Sequence, residues 1–221
     1  MLRVGPLVSG MPPDASPRGP HVVDNIWSEF ARSYDTICSQ LNCYRRMADK
    51  ILRDTQGADY VIDAGCGTGL VSAPLVARGT RVVGFDNNPG MLAVALDKQA
   101  RASPEVRARW TVLEGDVRTF PPGAGPGADA VVLNNVLFYV REPEAVLRES
   151  LAHLKPGGRL IYGTCSVLRE ENEAVVEDFL AREVGIPRGT YVMKNEMSSV
   201  AAIEARFPGT TGAPRPLCGG T

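Results

Sequence analysis

Tyr60-Val61-Ile62-Asp63-Ala64-Gly65-Cys66-Gly67-Thr68-Gly69-Leu70 is the stretch on which the fold turns. An apolar run of strand length meets an acidic residue, then three glycines at alternate positions, and helical character resumes from Leu70 to Ala77. Glycines in such a turn let the backbone pass close to a ligand, because no Cβ intervenes. The helix that follows offers free N–H groups and the positive end of its dipole to an anion. A dinucleotide fingerprint spaces its glycines G-x-G-x-x-G. Here the third glycine comes one place earlier, and Leu70 stands where that fingerprint needs glycine.

Outward from this turn, two periods alternate. Residues 37–52 place Ile37, Leu41, Tyr44, Met47, Ile51 and Leu52 on one face of a helix. Strands are predicted at Tyr60–Ile62, Arg81–Phe85, Trp110–Leu113, Ala130–Leu133 and Arg159–Tyr162. Between them lie helices over 70–77, over 90–101 with Asn88 as N-cap and Pro89 in the first turn, and from Pro143 to about Leu154. Lys155-Pro156-Gly157-Gly158 is expected to break the last of these, and a further helix to run from Glu170 to Glu183. The strands read as continuous apolar runs, which belong to a parallel sheet buried on both faces. The expected fold is α/β: doubly wound and Rossmann-like, with a mostly parallel sheet and helices on both faces. In such sheets ligands sit outside the C-terminal strand ends, where the strand order reverses.

The chain has 221 residues, 44% hydrophobic and 22% charged, a globular composition. Of its 23 glycines and 17 prolines, eight fall in residues 1–20 and seven in 207–221. The expected organisation is a disordered tail over 1–22, one domain over 23–206 and a Pro/Gly-rich tail over 207–221. A net charge of −1 with no basic face argues against a nucleic-acid partner. Apolar runs reach about six residues, far below the ~20 of a membrane span, and the opening segment lacks a signal-peptide core. The cysteines at 38, 43, 66, 165 and 218 form no C-x-x-C pair, so a reduced, cytoplasmic setting without a metal is expected.

Asp63, Gly65, Gly67 and Gly69 resemble the first motif of the class I S-adenosylmethionine-dependent methyltransferases, an acidic residue followed by G-x-G-x-G. The resemblance covers about the central hundred residues, through Leu160. It implies S-adenosyl-L-methionine as cofactor, with the glycine loop around the methionine part. Asp86, ending the second strand, would bind the ribose hydroxyls. Asp116 would hold the adenine amine, with the Val117 N–H on the ring. The strand DAVVLNNVLFYV and the L-K-P-G-G turn at 154–158 match the remaining motifs. Cofactor contacts implied by the resemblance are Tyr34, Asp63, Gly65, Cys66, Gly67, Gly69, Asp86, Asn87, Met91, Asp116, Val117 and Asn134.

Methyl transfer from a sulfonium asks mainly for alignment, and for a base only where the nucleophile arrives protonated. His21 lies in the N-terminal tail and His153 suits a helix C-terminus, so neither stands out as that base. Asn134 and Asn135 should face the methyl group, and Tyr139 follows as packing or substrate wall. Trp27, Tyr34, Asp35 and Tyr44 resemble the Tyr-Asp segment that small-molecule methyltransferases carry before the first strand, where it can form a lid. The expected activity is methylation of a small organic acceptor at O, N or C by a monomer or homodimer.

A competing resemblance lies in Thr164-Cys165-Ser166-Val167-Leu168-Arg169-Glu170-Glu171-Asn172-Glu173. It looks like the T-C-S-x-x-x-x-E-N-E motif of RNA cytosine-5 methyltransferases, whose cysteine attacks C6 of the pyrimidine. That family's Asp-Ala-Pro-Cys segment is replaced here by Asp129-Ala130-Val131-Val132. Candidates for catalytic contact are therefore Asn135, Tyr139 and Cys165. A third alternative is a cyclase or scaffold that binds the cofactor without methylating, since cofactor motifs and substrate pocket are separate features. The family's sheet ends in a hairpin of two more strands. Thr190–Met193 could begin the first of them, and the Pro/Gly content of 208–221 leads us to expect an incomplete hairpin.

Overall fold

Six strands form one sheet in a computed structural model that describes residues 20–164, 173–182 and 191–195. They are β1 (Tyr60–Ala64), β2 (Arg81–Asp86), β3 (Trp110–Glu114), β4 (Ala128–Asn134), β5 (Leu154–Gly163) and β6 (Tyr191–Asn195). Their order is β3-β2-β1-β4-β5-β6, and every neighbouring pair is parallel. All five residues of β1 are buried, as a strand covered on both faces requires. The order reverses between β1 and β4, which puts the crevice for a ligand at their C-terminal ends.

Helices α1 (Pro20–Gln40) and α2 (Asn42–Asp54) precede the sheet. After it begins come α3 (Ser72–Ala77), α4 (Pro89–Arg101), α5 (Pro104–Arg107), α6 (Pro143–His153) and α7 (Glu173–Arg182). One core joins Phe85, Leu133 and Tyr162 of the sheet to Leu147 of α6 and Phe179 of α7. The other joins Val61, Val132 and Ile161 to Met47 and Ile51 of α2 and Leu75 of α3. The α/β fold read from the sequence is the one observed, with helices on both sheet faces.

The N-terminus of α4 follows its sequence signals. Asn88 Oδ1 accepts from the Met91 N–H at 2.9 Å, and Pro89 occupies the first turn. Three readings need correction. Periodicity over 37–52 suggests one helix, but Leu41 is extended (φ −89°, ψ 114°) and separates α1 from α2. Ile37 and Leu41 are consequently exposed, because α1 is placed by contacts with α4 rather than by the face it shares with α2. The turn Lys155–Gly158 is not a break before β5 but part of it. The strand starts at Leu154 opposite Ala128, and the register resumes at Ala130 opposite Arg159, so the turn is an enlarged bulge. The short α5, capped by Ser103, and a 3-10 turn at Leu137–Tyr139 carried too little periodicity to be read. The start expected for a sixth strand is met by β6. Residues 196–221, on which the expectation of an incomplete hairpin rests, lie outside the described residues. Among the described residues no helix is long and apolar enough to cross a membrane.

Gly90 marks where α1 meets α4, since a Cβ there would stand 2.5 Å from Cα of Ser28. Alanine is the better helix former by about 1 kcal/mol. Gly90→Ala is nevertheless expected to lower Tm and to speed proteolysis within α1. A raised Tm would contradict the close approach.

Candidate functional site

The turn from β1 into α3 stands at the switch point. Gly65, Gly67 and Gly69 have φ of +77°, +53° and +75°, the left-handed region that favours glycine. At Gly65 a Cβ would also lie 2.7 Å from Val136 Cγ2, and at Gly69 2.7 Å from Trp110 Cζ2. At Gly67 nothing stands within 4 Å, so this glycine faces open space. The N–H groups of Gly65 and Cys66 donate to the Phe85 carbonyl at 2.8 and 2.9 Å. Asp86, next along β2, accepts from the N–H of Gly67 on one carboxylate oxygen and of Asn88 on the other, both at 2.9 Å. Burial raises the Asp86 carboxyl against these hydrogen bonds, which lower it.

Helix α1 closes the other side. Thr68 Oγ1 donates to Asp35 at 2.5 Å, Asp35 forms an ion pair with Lys98 of α4, and Lys98 Nζ donates to the Thr68 carbonyl at 2.8 Å. Ser28 donates to the Asn88 cap at 3.2 Å. Trp27, Phe30 and Tyr34 meet edge to face, Tyr34 meets Tyr44 of α2, and Trp27 reaches Tyr139 beyond β4 at 5.8 Å between centroids. Burial pushes the Tyr34 hydroxyl well above its ordinary range, and Tyr44 and Cys38 add to this, so it stays protonated.

The residues singled out from sequence fall into three groups. Gly65, Gly67, Gly69, Asp86 and Asn87 gather at the C-terminal ends of β1 and β2, with Asn87 exposed and Met91 and Cys66 buried. Val117 packs beside Gly65, and Asp116 is gripped by Arg118, which holds its carboxyl below the usual range. Asp63 lies underneath, 1% exposed, accepting from Ser72 Oγ at 2.6 Å. It therefore ties α3 to β1 from below. Burial raises the Cys66 thiol, and the neighbouring Asp63 and Asp86 raise it further, which favours the neutral thiol over the thiolate.

At the end of β4, Asn134 Oδ1 is buried with no hydrogen-bond donor. Asn135 has φ +56°, donates its N–H to the Gly163 carbonyl at 2.7 Å and points Nδ2 at the Met47 sulfur. Tyr139 is half exposed, and Cys165 lies outside the described residues. His153 sits at the opposite end of the sheet against Phe120, its Nδ1 3.0 Å from the Glu149 carbonyl. Sequence reasoning missed Thr68, Lys98, Ser28 and Val136. Thr68 could have been found inside the glycine turn, whereas the others meet the site only through tertiary packing.

Residues 62–160 match the family model of a methyltransferase domain, and residues 134–206 match that of the 16S rRNA methyltransferase RsmB/F. The chain is 34% identical over 134 residues to a ubiquinone biosynthesis O-methyltransferase of Ruegeria pomeroyi, covering 59% of this chain and 51% of that protein. It is 32% identical over 148 residues to a demethylmenaquinone methyltransferase of Thermobifida fusca, covering 65% and 61%. The chain thus spans between about half and three-fifths of the curated relatives it matches. A putative S-adenosyl-L-methionine-dependent methyltransferase structure from Methanococcus maripaludis shares the fold, with TM-score 0.53 and 24% identity over 71% of this chain and 72% of that one. The glycine turn from β1 into α3 and strands β2, β3 and β4 all fall inside the segment that is similar to a methyltransferase domain.

The crevice fits that cofactor on its own chemistry. Asn134 Oδ1 lacks a donor among the described residues, and the space over Gly67 is open beside the Asp86 carboxylate.

Folding raises the Asp63 carboxyl from 3.8 to about 6, burial being the main cause. Its contribution to stability is complete below about pH 4 and lost as pH rises through about 6. Asp63→Asn keeps an acceptor for Ser72 without the charge. From pH 4 to 7, the variant's stability is expected to rise relative to wild type by roughly 3 kcal/mol. Parallel Tm-against-pH curves would refute this.

Proposed function

We propose that this chain transfers the methyl group of S-adenosyl-L-methionine to a small organic acceptor. One observation carries the reading: the glycine turn, clasped to Asp86 at the switch point, lies within the segment matched by the methyltransferase-domain model. The relatives' names, ubiquinone biosynthesis O-methyltransferase and demethylmenaquinone methyltransferase, support a small acceptor.

When bound, the cofactor supplies an activated methyl group on a sulfonium, open to displacement by a nucleophile in line with the departing sulfur. Asp86 would take the ribose hydroxyls, and the glycine turn and Asn134 the methionine part. Asp116 and Val117 would meet the adenine. Helix α1, with Tyr34 and Trp27, would exclude water from above. The carboxylates around the crevice are already engaged: Asp35 by Lys98, Asp63 by Ser72, Asp86 by backbone N–H groups and Asp116 by Arg118. None of these four stands out as an uncommitted base. The acceptor must then ionise readily by itself, or carry a neutral lone pair, and the protein's part is alignment. We take 23–206 as the working unit.

A second reading has one observation in its favour, the rRNA methyltransferase model over 134–206. It would use Cys165 on a cytosine ring.

Titration calorimetry on the full chain tests the main reading. S-adenosyl-L-methionine should bind in the micromolar range, and Asp86→Ala should weaken it by about 30-fold or more, the cost of ~2 kcal/mol for losing a carboxylate that accepts hydrogen bonds. Unchanged affinity would overturn the ribose assignment. Methyl-labelled cofactor should pass label to small phenols or amines. Label appearing in RNA instead, and abolished by Cys165→Ser, would establish the second reading.

A further inference from the structure

A second hollow lies beside the crevice and is claimed by none of the residues so far given a role in holding the cofactor. It is a cavity of about 270 Å³ lined, among the described residues, by Leu137, Phe138, Val140, Pro143, Tyr162 and Val175, with Arg141 as the one charged residue of that lining. This volume is just under the ~300 Å³ at which small-molecule pockets begin, enough for one aromatic ring with a short side chain.

Two features connect it to the reaction and to a ligand class. The first is continuity. The segment 134–140 leaves β4 with Asn134 at the crevice, and Val136 fills the space against Gly65. The next residues, Leu137, Phe138 and Val140, then form the cavity wall. A molecule seated in the cavity therefore lies along the same turn that borders the glycine loop. The second is charge. Among the described residues no hydrogen bond or ion pair engages the Arg141 guanidinium. Its neighbour Glu142 does not neutralise it by an ion pair and instead helps to hold the charge of Arg118. Apolar side chains beside a guanidinium that no described residue engages suit a ligand with an apolar body and one anionic group, which arginine can hold through two parallel N–H donors.

We propose that this cavity is the acceptor site, and that it selects aromatic acceptors bearing a carboxylate or comparable anion through Arg141. The inference rests on the methyltransferase reading for its chemistry, while its binding test does not. It also agrees with the engagement of Asp35, Asp63, Asp86 and Asp116 by partners of their own, since the acceptor brings its own charge and Arg141 holds it in register.

The test compares 3-phenylpropionate with its neutral counterpart 3-phenylpropionamide, by calorimetry on the full chain with and without saturating S-adenosyl-L-methionine. The carboxylate is expected to bind at least about tenfold more tightly, the effect of one charge-assisted contact. Arg141→Gln should bring the two probes within about threefold, Arg141→Lys should restore part of the preference, and Val140→Trp should abolish both by filling the cavity. Equal affinities in the wild type, a preference that survives Arg141→Gln, or no binding of either probe at millimolar concentration would overturn the proposal. A chain that fails to bind S-adenosyl-L-methionine yet keeps the carboxylate preference would sink the methyltransferase reading alone.

Discussion

Five residues of backbone, Gly65 to Gly69, carry the constraint on which the rest of the molecule depends. This turn must leave β1 and enter α3 while passing under Val136 on one side and Trp110 on the other, where a Cβ at either outer glycine would collide. Its N–H groups cannot be left unpaired beside a buried sheet end, and β2 satisfies them through the Phe85 carbonyl and the Asp86 carboxylate. Helix α1 adds the last restraint by gripping Thr68 through Asp35. A turn held from three sides keeps an open face over Gly67, the preorganisation a tightly positioned ligand needs.

The electrostatics follow from that packing. Asp35, Asp86 and Asp116 lie around the crevice and Asp63 beneath it, and each is held by a partner of its own. Buried Asp63 and half-buried Asp86 are raised by desolvation, whereas Asp116 is lowered by Arg118. Such a site is strong in orientation and poor in uncommitted bases. It suits a reaction whose driving force resides in the donor and whose acceptor needs alignment more than activation.

The two family models overlap on 134–160, from the end of β4 through most of β5. That overlap contains the end of β4 and the 137–143 segment that lines the proposed acceptor site. A shared fold leaves the acceptor undetermined, because function resides in the side chains grafted onto strand ends. In the proposed acceptor site those side chains are Leu137, Phe138, Val140 and Arg141.

The sequence by itself determined the five central strands, the Asn88 cap and the glycine turn, because each is written in contiguous residues. Apolar runs record two-sided burial, and glycines record backbone angles that other residues avoid. It also placed Asp86 and Asn134 at strand ends, since position along a strand is local information. Only the tertiary structure decided the break at Leu41, the absorption of Lys155–Gly158 into β5, the burial of Asp63 beneath the turn, and the meeting of Asp35, Thr68 and Lys98. Those outcomes depend on partners 26 or more residues distant or on the opposite side of the same turn. Helical periodicity cannot tell which neighbour a face will meet; the close approach of α1 to α4 over Gly90 settled it.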